Sequence, residues 1–349
     1  MCTEASQHGG GRRPPARRRI TIGQGRELLR TTDDLRDSGL NDRDIRARVS
    51  EGALHRVRRG HFVAREDWDR LWPEGKHLIH LLAVVQDAEV PPVLSGVSAA
   101  VAHSLPLYRL STDRVHVIVP NPRHAGSVRD LLRHEADLSA ADIVEIDGLR
   151  LTSASRTVID IARRGSRETA QSVADAALRA VSVHHQLLDE ERAGIWFDGM
   201  QRRLARLVGA RGVRQARAVV AFADGRAQLP GESVSRLRLQ EMGFRRVELQ
   251  VPVPSLYGSG WFVDFGLDDI QAYGEYDGEG KYIDPALRGG RDIEDVVLDE
   301  KRREDWIRGS TGRPVLRWGA AHIGSRRALA TRLAAFNVPI TGDFRLARR

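Results

Sequence analysis

The sequence predicts a mixed α/β protein with more than one domain. The chain has 349 residues, which exceeds a typical single domain, and 41% of them are hydrophobic, enough for real cores. Apolar residues recur at helical spacing in several stretches, and alternating strand patterns separate them, most clearly between residues 247 and 277. These two periodicities together indicate helices and sheets in the same molecule.

Composition limits the classes of protein to which the chain can belong. No apolar run approaches the roughly 18 residues of a membrane span, and the arginine-rich start lacks a signal-peptide core, so we expect no membrane and a cytoplasmic location. The single cysteine, Cys2, excludes an internal disulfide framework and a cysteine-rich zinc site. The net charge of +8 favours an anionic partner, most simply DNA, although arginine-rich codon usage would give a similar charge.

The segment 31–63 predicts two short helices followed by a hairpin. Thr31 and the acids after it form a cap, Gly39 ends the first helix, and Asn41 or Asp42 begins the second. The alternating run that follows contains a glycine turn, which predicts the two strands of a wing. We therefore predict a winged helix that contacts DNA; packing against a neighbouring domain is the alternative. The side chains expected on the phosphates and base edges are Arg43, Arg46, Arg48, Arg56, Arg58 and Arg59.

The segment 261–281 predicts two strands joined by a tight turn, with carboxylates that converge. Glu275 and Asp277 are two residues apart and share a strand face, and the turn brings Asp264 opposite the neighbourhood of Glu275. Like charges this close favour a divalent cation between them, and Mg²⁺ or Mn²⁺ is expected. An ordinary acid-rich surface hairpin is the alternative.

Lysine is rare in this chain, because almost every cation is arginine. Two of the three lysines, Lys281 and Lys301, lie near the acidic segment. A lysine is a compact point charge that suits contact with phosphate or water. Chance placement explains the same positions.

The first half of the chain resembles the AbiEi-type antitoxins. The resemblance covers about residues 30–165, and its motifs are Gly39-Leu40, the run 52–63, Leu94–Pro106, the strand Val115–Pro120 and Thr152–Arg163. It implies a DNA-binding winged helix with an attached α/β domain, in proteins that repress their own operon and neutralise a nucleotidyltransferase toxin. A cognate toxin is therefore an expected partner of the antitoxin alternative.

The last part of the chain resembles the PD-(D/E)XK nucleases, and within them the family related to very-short-patch repair endonucleases. The predicted order is αβββαβα, and the motifs are Glu232-Ser, Gln250, Val263-Asp264-Phe265, Glu275-x-Asp277-Gly278, Lys301-Arg-Arg-x-Asp305 and Val315-x-Arg317. The resemblance implies metal-dependent hydrolysis of phosphodiesters.

The resemblance also assigns roles to residues. Asp264 and Glu275 are the expected metal ligands, and Glu232 completes the metal shell unless it is only an acid at a helix N-terminus. The family has lysine two residues after the glutamate, where this chain has Asp277, so Lys281 or Lys301 is expected to supply that charge. A nuclease fold kept only for binding DNA is the alternative.

We predict a DNA-binding protein with a metal-dependent endonuclease domain; a non-enzymatic regulator or antitoxin is the competing function. The predicted division is a disordered basic tail (1–19), a winged helix (20–65), an AbiEi-like α/β domain (66–165), a helical connector (166–228) and a nuclease-like, restriction-endonuclease-type domain (229–340). The oligomeric state is left open.

Overall fold

The computed structural model describes residues 17–119, 129–255, 260–278 and 293–336, with only the backbone for residues 293–297. It shows a mixed α/β protein with several sheets, which confirms the predicted class. Within the described ranges, none of the helices is long and apolar enough to cross a membrane. Most of the predicted tail lies outside the described residues.

The N-terminal part is a group of helices on a three-stranded antiparallel sheet. Thr31 and Asn41 cap two consecutive helices as expected, and Leu35, Ile45 and Phe62 form a small core beneath them. The sequence analysis did not predict the helix and short strand that precede them. The elements are α1 (Ile22–Leu28), β1 (Arg30–Thr31), α2 (Thr32–Asp37), α3 (Asp42–Ser50), β2 (Leu54–Arg58) and β3 (His61–Ala64), with sheet order β1-β3-β2.

The middle part contains a mixed five-stranded sheet with helices beside it. The sheet order is β6-β5-β4-β8-β7, with β4–β8 and β5–β6 parallel and the other pairs antiparallel. The elements are α4 (Arg65–Asp69), α5 (Pro73–Gln86), β4 (Val93–Leu94), α6 (Gly96–Ala102), β5 (Val115–Ile118), β6 (Leu131–His134), β7 (Ile143–Ile146), β8 (Leu149–Thr152) and α7 (Ala154–Arg164).

A mainly helical part follows, as expected for the helical connector, with one short hairpin that the sequence pattern did not predict. Its core is continuous with that of the preceding sheet, because one cluster of buried apolar side chains extends from Ile22 to Val220. The elements are α8 (Arg167–Ser182), β9 (Val183–His184), β10 (Leu187–Leu188), α9 (Glu190–Ala205) and α10 (Val213–Ala221).

The described elements of the last part follow the predicted order of helix, three strands, helix, strand and helix. The sheet order is β11-β12-β13-β14; the first three strands are antiparallel, and β14 is parallel to β13. The elements are α11 (Pro230–Glu241), β11 (Val247–Val253), β12 (Trp261–Leu267), β13 (Ala272–Asp277), α12 (Ile293–Thr311), β14 (Val315–Gly319) and α13 (Arg326–Ala334).

Two glycines allow α11 to lie close against this sheet. A Cβ at Gly231 would lie 2.0 Å from the Tyr276 ring, and one at Gly274 would lie 2.3 Å from the Trp318 ring. Trp318 is fully buried and donates a hydrogen bond from its indole nitrogen to Ser235 Oγ (2.8 Å). Only glycine permits these close approaches, which hold the start of α11 against Tyr276 of β13.

Helix α11 also packs against α8 through charged side chains. Arg236 Nη2 lies 3.3 Å from Asp175 Oδ1, and Arg238 pairs with Glu168. Asp175 is completely buried, and burial raises the pKa of its carboxyl despite the nearby guanidinium. The helix therefore joins the C-terminal sheet to the preceding helices.

Candidate functional site

The candidate site lies where the apolar side chains of β11 and β12 switch from one hydrophobic cluster of the C-terminal part to another. On β11, Leu249 packs into the cluster under α11, whereas Val251 packs into the cluster under α12. Residues two apart share a face in a regular strand, so the strand must be irregular between them. Gln250 provides the irregularity, because its φ of 53° lies in the left-handed region.

The partner strand changes face at the opposing position. Phe265 packs under α11 and Val263 packs under α12, so Asp264 lies at the crossover. Leu249 pairs with Phe265 and Val251 pairs with Val263, which puts Gln250 beside Asp264. Two polar side chains thus lie together where both strands change face.

Glu232, Gln250 and Asp264 form a hydrogen-bonded cluster. The Gln250 Nε2 atom donates to Glu232 Oε2 (3.3 Å) and to Asp264 Oδ1 (3.4 Å). The Gln228 backbone N–H also donates to Glu232 Oε2 (2.8 Å), and the Tyr276 N–H donates to Asp264 Oδ2 (2.8 Å). One amide nitrogen therefore lies between two carboxylates, a position from which a cation would contact both.

The carboxyl group of Glu232 is perturbed by this environment. Its residue is 2% exposed, and burial together with the negative charge of Asp264 raises its pKa to about 8. A carboxyl with that pKa holds a proton at neutral pH. A bound cation would displace the proton, since it would favour the charged form.

Glu275 lies on the strand beside Asp264 but is held by arginines. The last β12–β13 pair is Phe265 and Gly274, which puts Asp264 in the neighbourhood of Glu275, as expected from the turn. Arg303 Nη1, from α12, lies 2.9 Å from Glu275 Oε1. The carboxylate is 8% exposed and therefore has its charge compensated on the α12 side of the sheet.

Asp277 shares a second arginine with Glu275. Arg317 Nη1 lies 3.6 Å from Asp277 Oδ1, and Arg317 Nη2 lies 4.0 Å from Glu275 Oε2. The same guanidinium meets Glu300 and Glu304 of α12, at 3.5 and 3.1 Å. Both strand acids therefore contact one cation, which agrees with the prediction that they share a face.

The described residues fit a divalent cation only in part. No three histidine, cysteine, aspartate or glutamate side chains within the described ranges are grouped so as to hold a metal ion. Glu232 and Asp264 have the right donors, because Mg²⁺ takes one or two protein carboxylates and fills its remaining positions with water and substrate phosphates. Glu275 is instead paired with Arg303 and Arg317.

The two lysines expected near the site are placed differently. Lys281 lies outside the described residues. Lys301 is exposed on α12, whereas Arg303 of the same helix faces the sheet and reaches Glu275. Within the described part of the chain, arginine supplies the positive charge beside this glutamate.

Five of the six arginines predicted to bind DNA lie on the surface of the N-terminal part. Arg43, Arg46 and Arg48 are exposed on α3, and Arg56 and Arg59 are exposed on the hairpin. Among the described residues, none of these five has a carboxylate oxygen within 4 Å of its guanidinium. Their charges are directed to solvent and are available to an anion.

The sixth, Arg58, has a different environment. Its Nε atom lies 3.3 Å from Asp87 Oδ2 and 3.6 Å from Asp130 Oδ2, and its side chain is 23% exposed. These acids lie in the middle part of the chain. Arg58 therefore ties the hairpin to its neighbour.

Comparisons with known proteins give relatives of unknown function. No protein-family model matches the sequence. Two similar proteins from Mycobacterium tuberculosis, the uncharacterized proteins MT2308 and Rv2248, are each 28% identical over 271 residues, which cover 73% of this chain and 90% of the relative. The crystal structure of the RV2827C protein from the same species covers 60% of this chain and 84% of its own, at 19% identity and a TM-score of 0.32.

Several residues beside the carboxylates have no role in the sequence prediction. The nuclease resemblance includes Gln250 without a role, and no motif contains Gln228, whose Nε2 donates to Gln250 Oε1 (2.8 Å). Arg303 and Arg317 lie in the motifs of the nuclease resemblance, which assigns them no role. Their contacts with Glu275 depend on how α12 and β14 lie against β13, which the sequence pattern does not show.

Proposed function

We propose that the protein binds DNA and hydrolyses phosphodiester bonds at Glu232 and Asp264 with Mg²⁺ or Mn²⁺. The observation that carries the proposal is the pair of carboxylates on either side of Gln250 Nε2, of which Glu232 is buried and Asp264 is half-buried. A buried acid beside a second acid is costly unless a cation or proton compensates it. When bound, the metal would polarise the phosphate and lower the pKa of an attacking water.

The order of elements supports the class of reaction. The αβββαβα order and the acids on the first helix and second strand are those expected for a PD-(D/E)XK nuclease core. In this proposal Glu232 and Asp264 hold the cation. Before the cation binds, the Gln250 side-chain amide lies between the two acids and donates hydrogen bonds to both. Arg303 and Arg317 fix Glu275 and Asp277 beside it.

The N-terminal part supplies the affinity for DNA. Its order of helix, strand, two helices and hairpin, with sheet order β1-β3-β2, is compatible with a winged helix. Helix α3 carries Arg43 and Arg46 three residues apart, and thus on neighbouring positions of one face. Such a helix suits a major groove, with the hairpin arginines on the phosphates.

One observation favours a non-enzymatic regulator as the second candidate. Glu275 is paired with Arg303 at 2.9 Å, and aspartate occupies the position where the family has lysine. If that arrangement persists when DNA is bound, the metal site lacks Glu275 as a third acid and lacks the lysine that the family has. The C-terminal part would then contribute a surface for DNA or for a cognate toxin.

Cleavage assays separate the two functions. Supercoiled and single-stranded DNA are incubated with the full chain in Mg²⁺, Mn²⁺ or chelator, together with Asp264→Asn and Glu232→Gln. We expect metal-dependent cutting that falls at least about 100-fold in both variants, since each 1.4 kcal/mol of lost transition-state stabilisation costs a factor of ten. Glu248→Gln, an exposed acid on β11, is the matched control and should cut normally.

Calorimetry gives a second readout that does not depend on activity. Mg²⁺ titrated into the wild-type protein at pH 7 should release a proton from Glu232, which is measured as a heat that depends on the buffer. Retention of cutting in both variants, or equal cutting in chelator, would reject the nuclease site. Intact DNA binding without cutting by any variant would favour the regulator.

A further inference from the structure

A cavity in the middle part of the protein has the features of a separate binding site. Its volume is about 190 Å³, and it opens between the start of α6 and the end of α7. Val97, Leu110, Ile118 and Ile161 provide apolar walls. The residues that line it come from the middle part, so it is independent of the carboxylate cluster.

Ser95 places an unsatisfied hydroxyl at this cavity. The residue is 3% exposed, and its Oγ atom has no hydrogen-bond partner among the described residues. It precedes α6, yet its side chain makes no capping hydrogen bond. Buried hydroxyl groups are nearly always satisfied, so this one is a place for a polar atom of a ligand.

Two histidines form a pair on the same wall. His134 Nε2 lies 3.2 Å from His116 Nδ1, and the rings extend from neighbouring parallel strands. His116 packs against Gly96, where an added Cβ would lie 3.2 Å from Nδ1. Gly96 has a φ of 50°, so the start of α6 and the imidazole are fitted closely together.

The histidine pair, which lines the cavity, has one donor and one acceptor on its outer nitrogens. Burial lowers the pKa of His116 to about 4 and also lowers the pKa of His134, so both rings are neutral at pH 7. One proton occupies the bond between the rings. Of the two outer nitrogens, one then carries a hydrogen and the other does not, whichever tautomer forms.

Positive charge at the cavity comes from Arg164. The other arginine there, Arg156, donates from Nε to Asp160 Oδ2 (2.9 Å) and is therefore neutralised. Arg164 is exposed and has no carboxylate oxygen within 4 Å among the described residues. The cavity thus combines apolar walls, neutral polar groups and, among the residues that the structure describes, a cation with no carboxylate beside it.

We propose that this cavity binds a small carboxylate with a compact apolar body, such as a single-ring aromatic acid. The carboxylate pairs with Arg164, where a charge-assisted bond is strong, and a second polar atom meets Ser95 Oγ or the histidine pair. The apolar walls enclose the ring. The volume agrees with this size, since a dry cavity of roughly 150 Å³ in another protein holds benzene.

Ligand-observed NMR with the full chain tests the proposal. Benzoate is the probe, benzyl alcohol tests the need for charge, and inorganic phosphate tests the need for an apolar body. We expect saturable benzoate binding with a Kd of about 1 mM or tighter, and binding at least about tenfold weaker for the other two.

Three variants locate the binding. Arg164→Gln should weaken benzoate binding roughly tenfold because it removes the charged donor. Arg150→Gln, an exposed arginine on β8 that does not line the cavity, is the control and should bind normally. Ser95→Ala should weaken binding without lowering the thermal midpoint, since it removes a hydroxyl that the fold leaves unsatisfied.

Each result bears on the proposal. Absence of saturable binding by benzoate, or equal binding by the wild type and Arg164→Gln, would overturn it. Tighter binding of phosphate than of benzoate would also overturn it, because the apolar walls would then have no role. A lower thermal midpoint in Ser95→Ala with unchanged binding would assign the hydroxyl to folding instead.

Discussion

The N-terminal and C-terminal parts of the molecule use arginine in opposite ways. In residues 17–64, Arg43, Arg46 and Arg59 point to solvent, with no carboxylate within 4 Å among the described residues. In residues 230–336, Arg236 and Arg317 are largely buried and lie against acids. These arginines therefore present positive charge to solvent in the N-terminal part and form ion pairs inside the C-terminal part.

The difference shows that net charge alone is a poor guide to the DNA-binding surface. The excess of +8 is a property of the whole chain, but only cations without nearby acids attract a polyanion effectively. Arg58 illustrates the distinction, because it lies in the arginine-rich hairpin and yet is paired with Asp87 and Asp130. Three experiments sharpen this contrast.

The largest expected effect comes from removing a buried cation. Arg236→Met should lower the free energy of unfolding by about 3–5 kcal/mol, because Asp175 would remain buried without its counter-ion. Urea denaturation followed by circular dichroism measures the change. Adding Asp175→Asn should recover part of the loss.

Arg245→Met is the control for this substitution. Arg245 is exposed, and its side chain makes no ion pair among the described residues, so the change should stay within about 0.5 kcal/mol. Equal effects of Arg236→Met and Arg245→Met would contradict the assignment of cohesion to the buried arginine.

The second effect is on the pH dependence of stability. The pKa of Glu232 is raised from 4.5 to about 8, so between these values the folded state holds a proton that the unfolded state has released. Wild-type stability should then fall as pH rises through this window, by at most about 1.4 kcal/mol per pH unit. Glu232→Gln lacks this proton, and its stability relative to wild type should increase from pH 5 to pH 8.

Urea midpoints measured without divalent metal at pH 5, 6, 7 and 8 test this expectation. Glu248→Gln, which changes an exposed acid, should follow the wild-type curve. A constant difference between Glu232→Gln and wild type at all four values would show that the raised pKa is wrong.

The smallest effect on stability is expected in the N-terminal part. Replacing Arg43 and Arg46 by glutamine should change the free energy of unfolding by less than about 0.5 kcal/mol, since both are exposed. DNA affinity should fall, and the salt slope of log K should decrease by about 0.9 per lost phosphate contact. Fluorescence anisotropy at several salt concentrations measures both quantities.

Arg58→Gln is the informative comparison for the DNA experiment. It should reduce stability, because Asp87 and Asp130 lose their partner, and leave the salt slope unchanged. If Arg58→Gln lowers the salt slope of log K as much as the replacement of Arg43 and Arg46 does, Arg58 contacts DNA in spite of its ion pairs.

Regular periodicity made much of the C-terminal fold predictable. The alternation in 247–253 gave the bounds of β11, and the i, i+2 rule placed Glu275 and Asp277 on one face, where both meet Arg317. The four boundaries between the predicted domains stay predictions.

The candidate site was only partly predictable, because its geometry depends on a departure from periodicity. The apolar residues of β11 alternate without interruption, yet the strand reverses its faces at Gln250. Sequence patterns carry no signal for that left-handed residue. The pairing of Glu275 with Arg303 is equally hidden, since it depends on how α12 packs against β13.

Helix α11 has a practical consequence for dissecting the protein. It carries Glu232 on its first turn, while Arg236 and Arg238 reach acids on α8. A fragment that starts at residue 229 lacks α8, so it would expose the guanidinium groups of Arg236 and Arg238. It would also lose the ion pairs that hold α11, and thereby Glu232, in place. The shortest fragment suited to enzymology should therefore begin before Arg167.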